Sequence, residues 1–365
     1  MFDFFSFLEM IGGLALFLFG MNTMGDGLAK LAGGKLERIL EKLTANPIMG
    51  VFLGFVVTAV IQSSSATTVM VVGFVNSGIM KLPQAISIIM GANIGTTATA
   101  WILSLAGLEG GNFFMNLLKP TSFAPILAII GVAMLMFSNK AKKKDLGTIL
   151  IGFAVLMIGM DIMTGAIKPL AEVEGFKQLL VKFSNPILGL LAGAILTAVI
   201  QSSSASTGVV ITMVGAGVLP LKLALFIILG ANIGTCVTAL LASVGANANS
   251  KRIALIHFTF NVIGTVLFTA IIWIFREPAV NLLKSFFPSE DATSLQMRVS
   301  VFHVIFNVTT TVLLLPFVKQ LVKLSCLVIK DKKEDEHLAL KFVDDRLMSM
   351  PQVALIQVKK EIEYM

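Results

Sequence analysis

Thr58-Ala59-Val60-Ile61-Gln62-Ser63-Ser64-Ser65-Ala66 returns, letter for letter, as Thr197-Ala198-Val199-Ile200-Gln201-Ser202-Ser203-Ser204-Ala205. Each block interrupts an apolar region, 47–80 or 186–219, near its middle. A helix needs about 20 mostly apolar residues to cross the hydrocarbon core of a bilayer, so neither half of either region crosses alone. Non-helical backbone at membrane depth persists only where protein buries it or where it lines a wet cavity. Both regions therefore read as re-entrant helical hairpins with the serines at their tips. One long kinked span in each place is the plainer alternative.

The identity extends outward from the tips. Residues 46–102 align without a gap onto 185–241, at an offset of 139. Asn46-Pro47-Ile48 returns as Asn185-Pro186-Ile187, and Gly91-Ala92-Asn93-Ile94-Gly95-Thr96 returns as Gly230 through Thr235. Upstream, Gly20-Met21 meets Gly159-Met160. Two identical blocks in one register are a duplicated unit and not coincidence.

Composition names the solvent. Apolar residues make up 56% of the chain and charged residues 13%, a balance too poor in polar surface for a water-soluble domain of this length. The net charge of +7 does not indicate nucleic acid, because the charges collect between long apolar runs. Between Thr44 and Lys119 the only charged residues are Lys81 and Glu109, and between Phe183 and Lys251 the only one is Lys222. Cys236 and Cys326 fit neither a disulfide framework nor a metal spacing. The first ten residues carry Asp3 and Glu9 but no Lys or Arg, so the first apolar run reads as a retained span and not a cleaved signal.

Seven further runs are long enough to span: 8–24, 84–106, 113–138, 146–166, 221–243, 253–275 and 300–318. Lys and Arg favour the cytoplasmic side. Placing Lys30 to Lys42, Lys140 to Lys144, Lys251-Arg252 and Lys319 to Lys333 inside is consistent with these spans. The N-terminus is then outside and the C-terminus in the cytoplasm, as for a multi-pass plasma-membrane (cell inner membrane) protein. Three crossings separate equivalent points of the two copies; the number is odd, so the copies face opposite ways. The expected fold is an all-α integral membrane protein of two inverted-topology repeats with interrupted helices, an architecture of secondary transporters. The first repeat covers 1–139, the second with extra spans 140–320, and a cytoplasmic tail 321–365.

The tips carry the chemistry. A half-helix that restarts after Gln-Ser-Ser-Ser presents N–H groups without intrahelical partners, a serine N-cap and the positive end of its dipole. Together these form an anion site. Ser63, Ser64, Ser65, Ser202, Ser203 and Ser204 are the candidate anion ligands. Hard oxygens for a small cation come from Gln62 and Gln201 and from the hydroxyls of Thr96, Thr99, Thr235 and Thr238. The glycines of the Gly-Ala-Asn-Ile-Gly-Thr blocks are expected to weaken their helices and free carbonyls around Asn93 and Asn232. An anion and a cation each cost much to bury alone, so binding both together lowers that cost and couples them. Serines that only bond within their helices are the bland alternative. A nucleophilic serine is not supported: there is no G-x-S-x-G elbow, and His257, His303 and His337 lie outside both blocks. The chain is not read as an enzyme, and no cofactor is expected beyond a small alkali cation as a coupling ion.

Asp161, within an apolar run, is a functional candidate by its position, or an interfacial carboxylate. His257-Phe-Thr-Phe-Asn261 resembles His303-Val-Ile-Phe-Asn307, and each pair sets His and Asn one turn apart on one face. Helix–helix hydrogen bonding is the favoured role for both pairs.

Two Gln-Ser-Ser-Ser blocks in inverted repeats, each followed by Gly-Ala-Asn-Ile-Gly-Thr, together with Ala254-Leu-Ile-His257-Phe-Thr-Phe-Asn261, resemble the type II sodium–phosphate cotransporter family over roughly residues 10 to 320. The resemblance implies sodium-driven uptake of inorganic phosphate, with phosphate at the six serines and sodium near Gln62, Gln201, Thr235 and their neighbours. It also implies a PhoU-like cytoplasmic domain, which Asp344 to Ile362 resembles at its start. The sequence stops before such a bundle closes, which leaves a short member or a truncated chain as alternatives. The implied partners are phosphate, sodium and the lipid bilayer, with no nucleic acid; homo-oligomerisation is left open. A carrier of another oxyanion or a carboxylate, and a non-transporting membrane phosphate sensor, are the rival readings.

Overall fold

The computed structural model describes residues 3–32, 46–76, 80–105, 120–169, 173, 185–330 and 359. Every regular element among them is helical. The first apolar run becomes α1 (Phe4–Ala32). The first interrupted region is α2 (Pro47–Ile61) and α3 (Ser64–Asn76), followed by α4 (Leu82–Ser104). Next come α5 (Pro120–Phe137) and α6 (Ala141–Ile167). The second interrupted region is α7 (Pro186–Ile200) and α8 (Ser203–Gly215), followed by α9 (Leu221–Ala242). Then α10 (Ala248–Ile274), a short α11 (Arg276–Phe286) and α12 (Ala292–Leu314) lead through the 3-10 turn Leu315–Phe317 into α13 (Val318–Val328).

Six helical stretches among the described residues are long and apolar enough to cross a membrane, so the chain is a multi-pass membrane protein. They cover six of the seven expected runs. The seventh, 113–138, begins outside the described residues and continues as α5, whose 18 residues span roughly 27 Å. Apolar side chains such as Phe19, Ile129 and Val199 point outward from the bundle, as expected where lipid is the surrounding solvent. The expected boundary at 320 falls within α13, whose Leu321 and Ser325 are buried against the bundle. The segment that resembles a PhoU start lies outside the described residues, except for Lys359.

The hairpins begin the same way. Asn46 Oδ1 accepts from the Ile48 N–H at 2.9 Å ahead of Pro47, and Asn185 Oδ1 accepts from the Ile187 N–H at 2.9 Å ahead of Pro186. An Asn cap relieves an orphan donor, and proline fits a first helical position whose N–H has no partner to lose.

The continuity of α4 and α9 corrects one expectation. The Gly-Ala-Asn-Ile-Gly-Thr blocks do not break their helices, and no carbonyls are freed around Asn93 and Asn232. The glycines instead let whole helices approach. A Cβ on Gly91 would stand 1.9 Å from the Val51 carbonyl oxygen, and one on Gly230 would stand 1.9 Å from that of Leu190. Without a hydrophobic drive between helices in lipid, such close contact through small residues is what holds α2 on α4 and α7 on α9.

A second glycine contact is reciprocal. Gly20 lies against Leu156 and the Gly152 carbonyl, while Gly159 lies against Phe17 and the Gly13 carbonyl. At the offset of 139, Gly13 becomes Gly152 and Gly20 becomes Gly159, so the pair 13/159 maps onto the pair 152/20. The crossing of α1 and α6 is therefore compatible with a two-fold relation between the copies.

Candidate functional site

Both hairpins turn on a glutamine. Gln62 (φ 59°) and Gln201 (φ 58°) are the only non-glycine residues with positive φ among those described. Each caps its first arm in the left-handed conformation, donating its backbone N–H to the carbonyl of Thr58 or Thr197 at 2.7 Å. That conformation costs a non-glycine residue roughly 1–2 kcal/mol. Glycine would remove the cost, so the position keeps glutamine for what its side-chain amide does. The next residue restarts the helix: Ser63 Oγ accepts from the Ala66 N–H at 3.1 Å, and Ser202 Oγ from the Ala205 N–H at 3.2 Å. These two serines are N-caps. Their hydroxyl protons stay available, and the first N–H groups of α3 and α8 have no helical carbonyl behind them.

The tips meet. Ser65 Oγ donates to the Gln201 backbone carbonyl at 3.3 Å. Beside it, Ser204 Oγ reaches Thr99 Oγ1 at 3.5 Å, and Thr99 Oγ1 donates to Gln62 Oε1 at 2.9 Å. Two tips and one through-helix thus converge: Gln62 and Ser65 from one hairpin, Gln201 and Ser204 from the other, and Thr99 from α4. Ser64 and Ser203, the first residues of α3 and α8, are buried at the same level. The hairpins and α4 carry no charged residue, and α9 carries only Lys222, whose Nζ is engaged by Glu277 at 2.7 Å. Among the described residues no three His, Cys, Asp or Glu side chains converge, so a cation here meets neutral oxygens only.

The remaining predicted residues make no side-chain hydrogen bond to this cluster among the described residues. Thr96 and Thr235 each donate to their own helix, at the Ala92 and Ala231 carbonyls, and so present only oxygen lone pairs. Asn93 turns to α10, where its Oδ1 lies 3.2 Å from His257 Nε2; Asn232 Nδ2 bonds the Ile228 carbonyl at 2.8 Å. Thr238 Oγ1 is buried without a partner among the described residues. Asp161 lies on the exposed face of α6. The bond between Thr58 Oγ1 and Thr67 Oγ1 at 3.0 Å, which braces the two arms of the first hairpin, escaped the sequence reading. Thr58 stood inside the duplicated block, but nothing in one dimension showed which hydroxyl it faced.

The site is not symmetric in use. Gln62 is buried and bonded, whereas Gln201 is exposed. Thr58 has its partner, whereas its equivalent Thr197 is buried without one among the described residues.

Comparison with known proteins agrees with the duplication. The profile of the Na+/Pi-cotransporter family matches twice, over residues 16–165 and 156–282. The chain belongs to the Na+/Pi-cotransporter family. Within it, the chain is 28% identical over 359 residues to the "Putative inorganic phosphate export protein YjbB" of Salmonella typhimurium, across 97% of this chain and 62% of that protein. It is 28% identical over 320 residues to the "Uncharacterized protein YqeW" of Bacillus subtilis, covering 87% of this chain and 97% of that protein. It is 26% identical over 381 residues to the "Sodium-dependent phosphate transport protein 2A" of Rattus norvegicus, covering 71% of this chain and 60% of the relative. The chain thus spans about three fifths of the length of YjbB and of the rat transporter. No solved structure matches it.

Proposed function

We propose that this family member is a secondary active carrier that moves inorganic phosphate with sodium by alternating access, holding the anion between the two hairpin tips. The contact of Ser65 with the Gln201 carbonyl carries the reading, because it sets two serine-capped helix starts, with their remaining free N–H groups and serine hydroxyls, around one point. Ser63, Ser64, Ser65, Ser202, Ser203 and Ser204 are the phosphate ligands in this reading. Gln62, Thr99 and the remaining threonine and glutamine oxygens serve sodium. The tips hold no fixed charge, so each ion entering alone would leave its charge uncompensated in a low dielectric. Entry of both removes most of that penalty, and the coupling is reciprocal.

One relative is named for export and another for sodium-dependent transport. Alternating access accommodates both, since a coupled carrier runs in whichever direction the ion and substrate gradients drive it. With sodium higher outside, the direction is uptake. The membrane orientation that goes with this reading has the N-terminus outside and the C-terminus in the cytoplasm, following the lysine and arginine bias.

Purified full-length chain in proteoliposomes tests the proposal. An inward sodium gradient should drive saturable accumulation of labelled phosphate, and reversing the gradient should drive its loss. Accumulation that is unchanged when potassium replaces sodium would overturn the coupling. Binding of phosphate without any flux would favour a sensor instead.

A further inference from the structure

The last span repeats an earlier one at an offset of 46. Arg252, His257, Phe260, Asn261 and Thr265 of α10 meet Arg298, His303, Phe306, Asn307 and Thr311 of α12. The equivalence holds in three dimensions. Ser250 Oγ bonds the Val72 carbonyl at 3.2 Å, and its counterpart Gln296 Nε2 bonds that of Ile211, the equivalent of Val72, at 3.4 Å. Thr265 Oγ1 bonds the Leu229 carbonyl at 3.2 Å, and its counterpart Thr311 Oγ1 bonds that of Met90, the equivalent of Leu229, at 3.5 Å. So α12 stands to α3's counterpart α8, and to α4, as α10 stands to α3 and α9.

Within that frame one bond lacks its mate. His257 Nε2 meets Asn93 Oδ1 at 3.2 Å and joins α10 to α4. The counterpart would join His303 to Asn232 across α12 and α9, two helices that are in contact. It is not made: Asn232 Nδ2 is on its own helix, and both ring nitrogens of His303, a fully buried side chain, lack a partner among the described residues. A buried ring left without hydrogen bonds is costly and calls for a partner in some arrangement of the molecule. Two other pairs divide the same way. Gln62–Thr99 and Thr58–Thr67 are made, while Gln201 is exposed and Thr238 and Thr197 are without partners among the described residues.

We propose that Asn232 and His303 bond to each other in the opposite-facing state, where the Asn93–His257 bond opens, so that the two pairs are alternately closed latches positioning α4 and α9. The inference rests on the alternating-access reading above. Neither histidine is among the residues assigned above to phosphate or sodium; both act here as positioning residues. What changes between the states is which member of these unequal pairs of bonds is satisfied, as expected of a packed interface with two discrete arrangements.

The experiment reads the state directly, without substrate. The full chain carries Gln201→Cys in a Cys326→Ser background, Cys236 being fully buried. It is reconstituted in liposomes, and the rate of labelling by a membrane-impermeant maleimide is followed. Loss of one neutral hydrogen bond of about 1 kcal/mol shifts a two-state ratio about fivefold. His257→Leu should therefore slow labelling up to about fivefold, because it opens the latch of the state in which position 201 is exposed. His303→Leu should hold labelling at or above the parent rate and slow turnover. Asn93→Leu and Asn232→Leu, made from the other partner of each pair, should shift labelling in the same directions as His257→Leu and His303→Leu. Shifts of the same sign in both pairs, or none in either, would overturn the proposal, since general destabilisation has no reason to favour opposite states. Phosphate uptake by the unsubstituted chain in the same vesicles reports on the transport reading separately.

Discussion

Thr99 Oγ1 donates to Gln62 Oε1 across 2.9 Å, tying the tip of the first hairpin to the middle of a continuous helix. The equivalent Thr238 and Gln201 make no such bond, with Thr238 Oγ1 buried and Gln201 exposed. Gln62 thus turns its hairpin through a left-handed backbone while its side-chain amide reaches a second helix.

Thr99→Val should therefore act on sodium before phosphate. It removes a hydroxyl oxygen and one bond worth roughly 1 kcal/mol while keeping the volume. The sodium concentration for half-maximal uptake is expected to rise about fivefold, with the phosphate affinity at saturating sodium little changed. Uptake titrated in both ions checks this; a change confined to phosphate would reassign Thr99.

Four of the six serines should separate into two behaviours. Ser63→Ala and Ser202→Ala remove N-caps and should lower thermal stability by about 1 kcal/mol as well as weaken transport. Ser64→Ala and Ser203→Ala leave the caps intact. Each should raise the phosphate concentration for half-maximal uptake roughly tenfold, the scale of one hydrogen bond to a charged group, with little change in melting. Melting curves and uptake on matched samples distinguish the two sets. If all four substitutions spare transport, the anion is held elsewhere.

Glycine substitutions probe the packing. Gly91→Ala and Gly230→Ala put a methyl group about 2 Å from a carbonyl oxygen of the neighbouring hairpin arm. Each should destabilise by at least the 1–3 kcal/mol typical of overpacking, and expression should fall. Gly12→Ala meets nothing within 4 Å and should be neutral or stabilising by up to about 1 kcal/mol, as alanine is the better helix former. Thermal melts of the three variants in detergent give the ranking.

The loop between α11 and α12 hangs on Arg298. Its guanidinium is fully buried and donates to the carbonyls of Phe287, Pro288 and Ser289 and to the Glu290 carboxylate. Arg298→Leu should cost at least about 2 kcal/mol, given several bonds to one charged group. The Lys284 hydrogen bond, and then that of Arg298, hold the Glu290 carboxyl below its ordinary range. A lowered folded pKa adds stability above the unfolded value and loses it as pH falls through the folded one. The Glu290 contribution to melting temperature should therefore be constant with pH near neutrality and decline on acidification below about 4.5, the usual glutamate value. Glu290→Gln should decline less over that range.

Orientation is open to a direct test. Single cysteines at Asn139 and Ser289, in a background without Cys236 and Cys326, should label from opposite faces of intact cells, with position 139 on the cytoplasmic side. Labelling of both from one face would contradict the lysine-based topology.

Much of this was legible in one dimension. An interrupted apolar stretch that is too short on either side to cross must turn back or kink, and a block repeated at an offset of 139 must fold alike twice. Hence the hairpins, their Asn-Pro starts and their serine restarts follow from local chemistry, which each segment carries with it. The misread glycines show the limit. Propensity made Gly91 and Gly95 helix breakers, but in lipid a helix keeps its own hydrogen bonds at almost any cost, so the missing side chains became a contact surface. The similarity of α10 and α12 was visible at His257 and His303, yet only the carbonyls they face reveal that one serves each repeat.

What the sequence determined by itself is the unit and its chemistry: two identical neutral tips, each with a glutamine amide, three hydroxyls and a fresh helix start. What only the tertiary structure decided is the pairing. It brings Ser65 to the Gln201 carbonyl and Ser204 to Thr99, turns Asn93 to His257, and closes the Thr58–Thr67, Gln62–Thr99 and Asn93–His257 bonds while leaving their counterparts unmade. The physical reason is that identical sequences carry identical donors and acceptors, so symmetry is a property of the chain. Which of two equivalent hydrogen bonds is closed depends on how the packed helices stand relative to one another, and that is a property of the assembled bundle alone.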